Sequence, residues 1–258
     1  MAQLRRELAR RHERLERELA VARRIQFGLI PQQLPACTGW RMASAYQPAR
    51  AIGGDFLDAF ELPDRPGCLA LHLGDVTGKG IPAALMMAFC RAVLRSATYN
   101  GTGPADTLER ANRVLTTDVR AGVFVTAVAV DLEPSGRLRW ASAGHEPPFL
   151  IRAGATEVIE LDPTGAMLGL LPRLGGAERT EALAPGDRLV LWTDGVTDAQ
   201  STDGERFGEA RFRRLLTARH ASGEPERMIA AILAALAAWS RGRDPADDVS
   251  LFVIERTG

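Results

Sequence analysis

Apolar, strand-like runs that stop at an aspartate set among small residues constrain this chain more than any other feature. Leu69-Ala70-Leu71-His72-Leu73 runs into Gly74-Asp75-Val76-Thr77-Gly78-Lys79-Gly80, and Leu189-Val190-Leu191-Trp192 runs into Thr193-Asp194-Gly195. Asp247-Asp248-Val249-Ser250 opens a run that ends at Ile254, and Gly53-Gly54-Asp55-Phe56-Leu57-Asp58 is a fourth aspartate-bearing string. A carboxylate at a strand end, beside small turn residues, can point into a cleft and not into the core. Several of them, gathered by a fold, make an oxygen-rich site suited to hard divalent cations.

Composition narrows the field. The 258 residues fit one large domain or two small ones, with material for a core. Formal net charge is zero, so no global field argues for nucleic acid or an anionic membrane. Cys37, Cys68 and Cys90 are odd in number and lack metal-type spacing, which points to a reducing compartment without a disulfide framework. No apolar run is expected to approach the ~20 residues that span a bilayer. The basic N-terminus lacks the apolar segment and cleavage site of a signal peptide, so a cytoplasmic location is expected. Lys79 is the only lysine among 32 basic residues.

Met1, Leu8, Leu15, Ala22 and Leu29 recur at sevenfold spacing, and Leu4 and Ile25 half-fill a second seam that Arg11 and Glu18 interrupt. Arg and Glu occupy most positions between them, which predicts one long helix closed by Pro31 and Pro35. Two readings stand side by side: an amphipathic helix capping the domain, or a short parallel coiled coil that dimerises the chain.

From Trp40 onward, strands are expected over 41–46, 55–61, 68–75, 123–132, 137–143, 148–152, 156–161, 179–183, 187–193 and 248–254. Helices are expected over 81–98, 104–119, 207–218 and 224–241, with Pro82 in the first turn of its helix. Hairpins outnumber crossovers and the helices come in two pairs. The pattern predicts an α+β fold of antiparallel sheets with helices packed outside.

These strings together resemble the metal-dependent protein phosphatases of type 2C, in the bacterial branch of the stage II sporulation protein E and sigma-B regulator phosphatases. The likeness is carried by Ile25-Gln26 through Leu29-Ile30-Pro31, by Pro48-Ala49-Arg50-Ala51-Ile52-Gly53-Gly54-Asp55 and by Gly74 through Ala84. Further on it includes Ala143-Gly144-His145-Glu146-Pro147-Pro148, Thr193 through Asp198, Arg206-Phe207-Gly208 and Asp247 through Leu251. The resemblance implies a four-layer αββα sandwich over 31–258, preceded by a linker helix over 1–30, with two Mn²⁺ or Mg²⁺ ions at one end of the sandwich. It implies Asp75 as the bridging carboxylate with the Val76 carbonyl as an adjoining ligand. Asp194 and Asp247 would complete one metal, and Asp55 would act on the other, directly or through water. Asp248 falls outside the ligand shell, and Asp58 and Asp198 are read as solvated turn residues.

Such chemistry is metal-assisted ester hydrolysis. Two divalent ions roughly 3.5–4 Å apart neutralise a phosphate dianion and lower the pKa of a bridging water, whose hydroxide attacks phosphorus in line. Zinc is disfavoured because no His or Cys cluster accompanies the acids. Arg50, five residues before Asp55, matches a phosphate-gripping arginine of eukaryotic relatives; a surface salt bridge is the plain alternative. Those relatives place a His two residues after the bridging aspartate, where this chain has Thr77, so the general acid is left unassigned. His145 is read as part of a structural turn, His72 as a satisfied core residue, and His12 and His220 as exposed helical positions.

The Gly53-Gly54-Asp55-Phe56 string lacks the acid that a diguanylate cyclase loop needs before Phe, and Gly74–Gly80 lacks P-loop spacing. No Gly-x-Ser-x-Gly elbow appears. The expected activity is hydrolysis of phosphoserine or phosphothreonine in protein. By resemblance, the substrate is a phosphorylated anti-sigma factor antagonist in a partner-switching pathway, with the N-terminal helix meeting a sensor, an activator or a second copy. The alternative is a catalytically silent module that binds a phosphoprotein.

Overall fold

The computed structural model describes residues 2–118, 122–218 and 223–258. Met1, His220 and the last residue of the helix expected over 104–119 lie outside them. The first described element is α1 (Ala2–Leu29), ending just before Pro31. Ten strands follow: β1 (Trp40–Gln47), β2 (Phe56–Glu61), β3 (Leu69–Val76), β4 (Val125–Leu132), β5 (Arg137–Ala143), β6 (Phe149–Ile151), β7 (Ile159–Glu160), β8 (Arg179–Ala182), β9 (Arg188–Trp192) and β10 (Val249–Arg256). Interleaved are α2 (Ile81–Tyr99), α3 (Pro104–Asp118), α4 (Gly195–Asp198), α5 (Glu209–Thr217) and α6 (Pro225–Ser240). Each expected strand and helix has its counterpart; the four-residue α4 was not foreseen.

The strands form two five-stranded antiparallel sheets, ordered β1-β10-β9-β6-β7 and β2-β3-β4-β5-β8. Side-chain alternation explains the layering. Leu189 and Leu191 of β9, with Phe252 and Ile254 of β10, enter the core shared with the second sheet. Val190 and Trp192, with Leu251 and Val253, point the other way, into a core closed by Phe212 of α5 and Met228 and Ile232 of α6. Strands buried on both faces read as continuous apolar runs, as these do. On the opposite side α2 and α3 cover β2–β5, α2 through Ala83, Met87, Cys90 and Leu94, spaced to make one helical stripe. The result is the αββα order of layers.

Two expectations need correction. By length and composition alone α2 is apolar enough to cross a bilayer, at 19 residues and mean hydropathy 1.2. Its buried stripe packs against the sheet, and its Arg91 and Arg95 are bound to a strand residue, so here it is a core helix. That strand residue is Asp58, expected in a solvated turn and instead fully buried in β2. Arg91 Nη2 donates to it at 2.9 Å, and Arg95 donates through Nε and Nη2 at 2.9 and 2.8 Å. Strand alternation carries Asp58 beneath α2, where one helical turn separates the two arginines. His72, opposite Asp58 in β3, is half satisfied: Nε2 meets Thr98 Oγ1 at 3.1 Å, and Nδ1 has no partner among the described residues. Burial lowers its pKa to about 3, which keeps the ring neutral.

Candidate functional site

The acidic strings meet at one end of the sandwich. Asp75 stands at the end of β3, Asp194 just after β9, Asp247 just before β10, and Asp55 just before β2. Asp55 is buried, and its Oδ2 accepts from Thr193 Oγ1 at 2.8 Å and Ser250 Oγ at 2.7 Å. Thr193 Oγ1 in turn accepts from the Ser250 N–H at 3.0 Å, locking β9 to β10 behind the carboxylate. Asp75 lies within hydrogen-bonding reach of Asp55.

Electrostatics betray the crowding. Burial, then Asp194, Asp247 and Asp248, push the Asp75 carboxyl up to about 6. Burial, Asp75 and Asp248 hold Asp55 well above the usual carboxylate range. Asp194 is raised by burial and by Asp247. Glu146, given no role in the sequence reading, is raised as well, by burial and then Asp194. Carboxylates that raise one another are a donor set waiting for positive charge.

Gly54 shows how the backbone serves that set. A Cβ there would stand 2.9 Å from the Val76 carbonyl oxygen and 3.6 Å from Asp75 Oδ1, so only glycine leaves this space free. The all-oxygen donors and the open carbonyl fit Mn²⁺ or Mg²⁺ in chemistry. Among the described residues, no three His, Cys, Asp or Glu side chains form a finished metal-binding cluster. Two of the carboxylates are held by the protein itself: Asp55 by the hydroxyls above, and Asp247 by Lys79 Nζ at 2.8 Å.

The remaining residues sort by their contacts. Asp248 adjoins the acids and anchors the Asp55 loop: Oδ1 accepts from Ala49 N at 2.7 Å and Oδ2 from Gly54 N at 2.6 Å. Arg50 is exposed and lines a narrow cleft with Lys79, Asp247 and Asp248. It forms no ion pair among the described residues. Thr77 is tied to the Phe124 backbone, donating to its carbonyl and accepting from its N–H, both at 3.0 Å. His145 is buried and bonded to Thr126, the residue opposite Asp75 in β4; burial lowers its pKa to about 4. Asp198 is partly exposed and pairs with Arg206 at 2.8 Å. His12 is exposed on α1.

Thr193, Ser250 and Gln26 were given no role in the sequence reading, although all three sit inside strings already singled out. Gln26, buried at the end of α1, donates through Nε2 to the Gly53 carbonyl at 2.7 Å.

Two antiparallel sheets between helix pairs, with acids gathered at one sheet end, define the PP2C class of phosphatase fold. The solved SiaA-PP2C domain of Pseudomonas aeruginosa superimposes with a TM-score of 0.82 at 25% identity, covering 95% of this chain and 98% of that one. The profile of the Stage II sporulation protein E (SpoIIE) family matches residues 65–257, and the chain belongs to that family. It is 34% identical over 232 residues to Protein IcfG of Synechocystis sp., covering 78% of this chain and 36% of that protein. It is 28% identical over 193 residues to Phosphoserine phosphatase RsbU of Bacillus subtilis, covering 74% of this chain and 57% of that protein. The chain thus spans between one third and three fifths of the curated relatives it matches.

Proposed function

We propose that this chain is a serine/threonine phosphoprotein phosphatase dependent on two divalent ions, Mn²⁺ or Mg²⁺. The observation that carries the reading is the convergence of Asp55, Asp75, Asp194 and Asp247 from four distant strings, with the carboxyls of Asp55, Asp75 and Asp194 raised by burial and neighbouring acids. Asp75, the Val76 carbonyl, Asp194, Asp247 and Asp55 are the groups that would hold the ions. Ions held there would neutralise the phosphate dianion and acidify a water between them. The chain's own residues do the rest. Arg50 is free to grip phosphate oxygens through its guanidinium fork. Asp248 fixes the loop that presents Asp55. Thr77, committed to Phe124, has no part in proton transfer.

The substrate is proposed to be a phosphorylated anti-sigma factor antagonist in a cytoplasmic partner-switching pathway. Kinship with a protein named phosphoserine phosphatase supports the phosphoserine part. Residues 1–30 are proposed as a linker to a sensor, an activator or a second copy, and 31–258 as the phosphatase domain. Phosphate release from phosphorylated antagonist proteins, with and without Mn²⁺, tests the reading. Metal-dependent turnover abolished by Asp75→Asn is expected. Turnover without metal, or none with it, overturns the proposal, and the latter leaves a phosphoprotein-binding module.

A further inference from the structure

Lys79 occupies a position that the hydrolytic reading leaves unexplained. Its ammonium donates to Asp247 Oδ2 at 2.8 Å and to the Ala246 carbonyl at 2.7 Å. These bonds join the loop after β3 to the loop before β10 across the mouth of the cleft, which Arg50 also lines. Gly78 and Gly80, with φ of 108° and 75°, give the left-handed turns that carry Lys79 over the acids. Both partners are partly open to solvent, with side-chain exposures of 43% and 37%, so the pair can separate without burying a bare charge.

An ammonium and a divalent cation on one carboxylate oxygen repel each other, so only one holds Asp247 closely at a time. We propose that Lys79 is an exchangeable counter-ion: it holds Asp247 until a divalent ion takes that carboxylate, and the displaced ammonium then serves as a second grip on the substrate phosphate beside Arg50. The inference rests on the metal-dependent reading above. A flexible four-carbon stem ending in a compact point charge suits this exchange; a planar guanidinium clamped to a carboxylate suits it less. Lysine is a common phosphate ligand in that role. The device couples the two events, because the group that binds substrate is released only where metal has arrived.

Calorimetric titration of Mn²⁺ into the metal-stripped full chain tests this, comparing wild type with Lys79→Gln, Lys79→Met and Asp75→Asn. Removing the competing charge is expected to tighten Mn²⁺ binding about three- to tenfold. The KM for a phosphorylated protein substrate is expected to rise about tenfold, with kcat changed far less. Tighter metal with weaker substrate is a combination that a merely loosened site does not produce. Unchanged or weaker Mn²⁺ binding in both uncharged variants overturns the counter-ion role. An unchanged KM overturns the phosphate grip. Wild type that binds no Mn²⁺, or Asp75→Asn that binds it equally well, overturns the metal-dependent reading itself, and the inference falls with it.

Discussion

The carboxamide of Gln26 forms a reciprocal pair with the backbone of Gly53: Nε2 donates to the Gly53 carbonyl at 2.7 Å, and the Gly53 N–H donates to Oε1 at 3.0 Å. The Tyr46 hydroxyl also donates to Oε1, at 3.3 Å. Gln26 is only 4% exposed, although side chains of α1 are exposed from Gln3 through Glu18. The last turn of this otherwise free helix is therefore fastened to the loop that carries Asp55, two residues beyond Gly53.

Gln26→Ala is expected to leave a buried N–H and a buried carbonyl without partners, at about 1–3 kcal/mol of stability. Because the loop also aims Asp55, turnover of a phosphoprotein is expected to fall at least about tenfold, a loss of ~1.4 kcal/mol or more in transition-state stabilisation. Urea melts and kcat measured on the same preparation separate the effects. Full turnover at a substrate-saturated, folded temperature contradicts the link between α1 and the site.

The raised carboxyl of Asp75 gives a pH signature in the metal-free protein. Its folded pKa of about 6 exceeds the ordinary 3.8, so the folded state holds the proton more tightly. The resulting stabilisation is complete below about pH 4 and is lost as pH rises through about 6. Asp75→Asn removes the titration. In EDTA the variant is expected to be the more stable protein at pH 7.5, by about 1–3 kcal/mol, with the gap closing as pH falls towards 4. Added Mn²⁺ is expected to reverse the order at pH 7.5 by stabilising wild type alone. Parallel pH profiles for the two proteins in EDTA contradict this account. The comparison cancels the opposite slopes of His72 and His145, whose lowered values cost stability as pH falls below 6.5.

Much of this architecture was legible because the strands announce themselves. Leu189–Trp192 and Val249–Ile254 are apolar on both faces, and the sheet they enter is covered on both sides. The positions of Asp75, Asp194 and Asp247 were legible for the same reason, since each stands at an end of such a run. What sequence pattern could not give is the partner of each polar group. Asp58 reads as a solvated residue because the arginines that neutralise it are 33 and 37 residues away. Gln26 reads as one polar position in a polar helix; its importance arises from a contact 27 residues distant. Lys79 was visible as the only lysine, yet its bond to Asp247 spans 168 residues.

Asp58 gives the largest expected stability effect. Asp58→Ala leaves two guanidiniums, Arg91 and Arg95, facing a buried gap beneath α2, and is expected to cost about 3–5 kcal/mol. The loss is concentrated where α2 meets β2. Arg95 also lies over the Phe60 ring at 4.3 Å, so its anchorage suffers as well. Replacing Asp58, Arg91 and Arg95 together by apolar residues of similar size is expected to recover most of the loss, because no charge is then stranded. Chemical denaturation of the single and triple variants checks this; a triple variant no better than Asp58→Ala contradicts the assignment.

The exposed part of α1 makes the last expectation. Leu4, Leu8 and Leu15 are each more than half exposed, and none of them packs on the domain of the same chain. The surface between them is stitched by ion pairs along the helix, Glu7–Arg11, Glu13–Arg17 and Arg14–Glu18, which stabilise the helix itself by only a few tenths of a kcal/mol each. That leucine face is not buried against the chain's own domain. A leucine seam at sevenfold spacing fits a second copy of the same helix. Deleting residues 2–24 keeps Gln26 and its bond to Gly53, so the truncated chain is expected to fold, with the melting temperature little changed. Its mass in solution is expected to fall from that of a dimer to that of a monomer, and turnover is expected to drop as the Asp55 loop loses the support of an anchored helix. A truncation that remains dimeric and fully active removes both roles from the N-terminal helix.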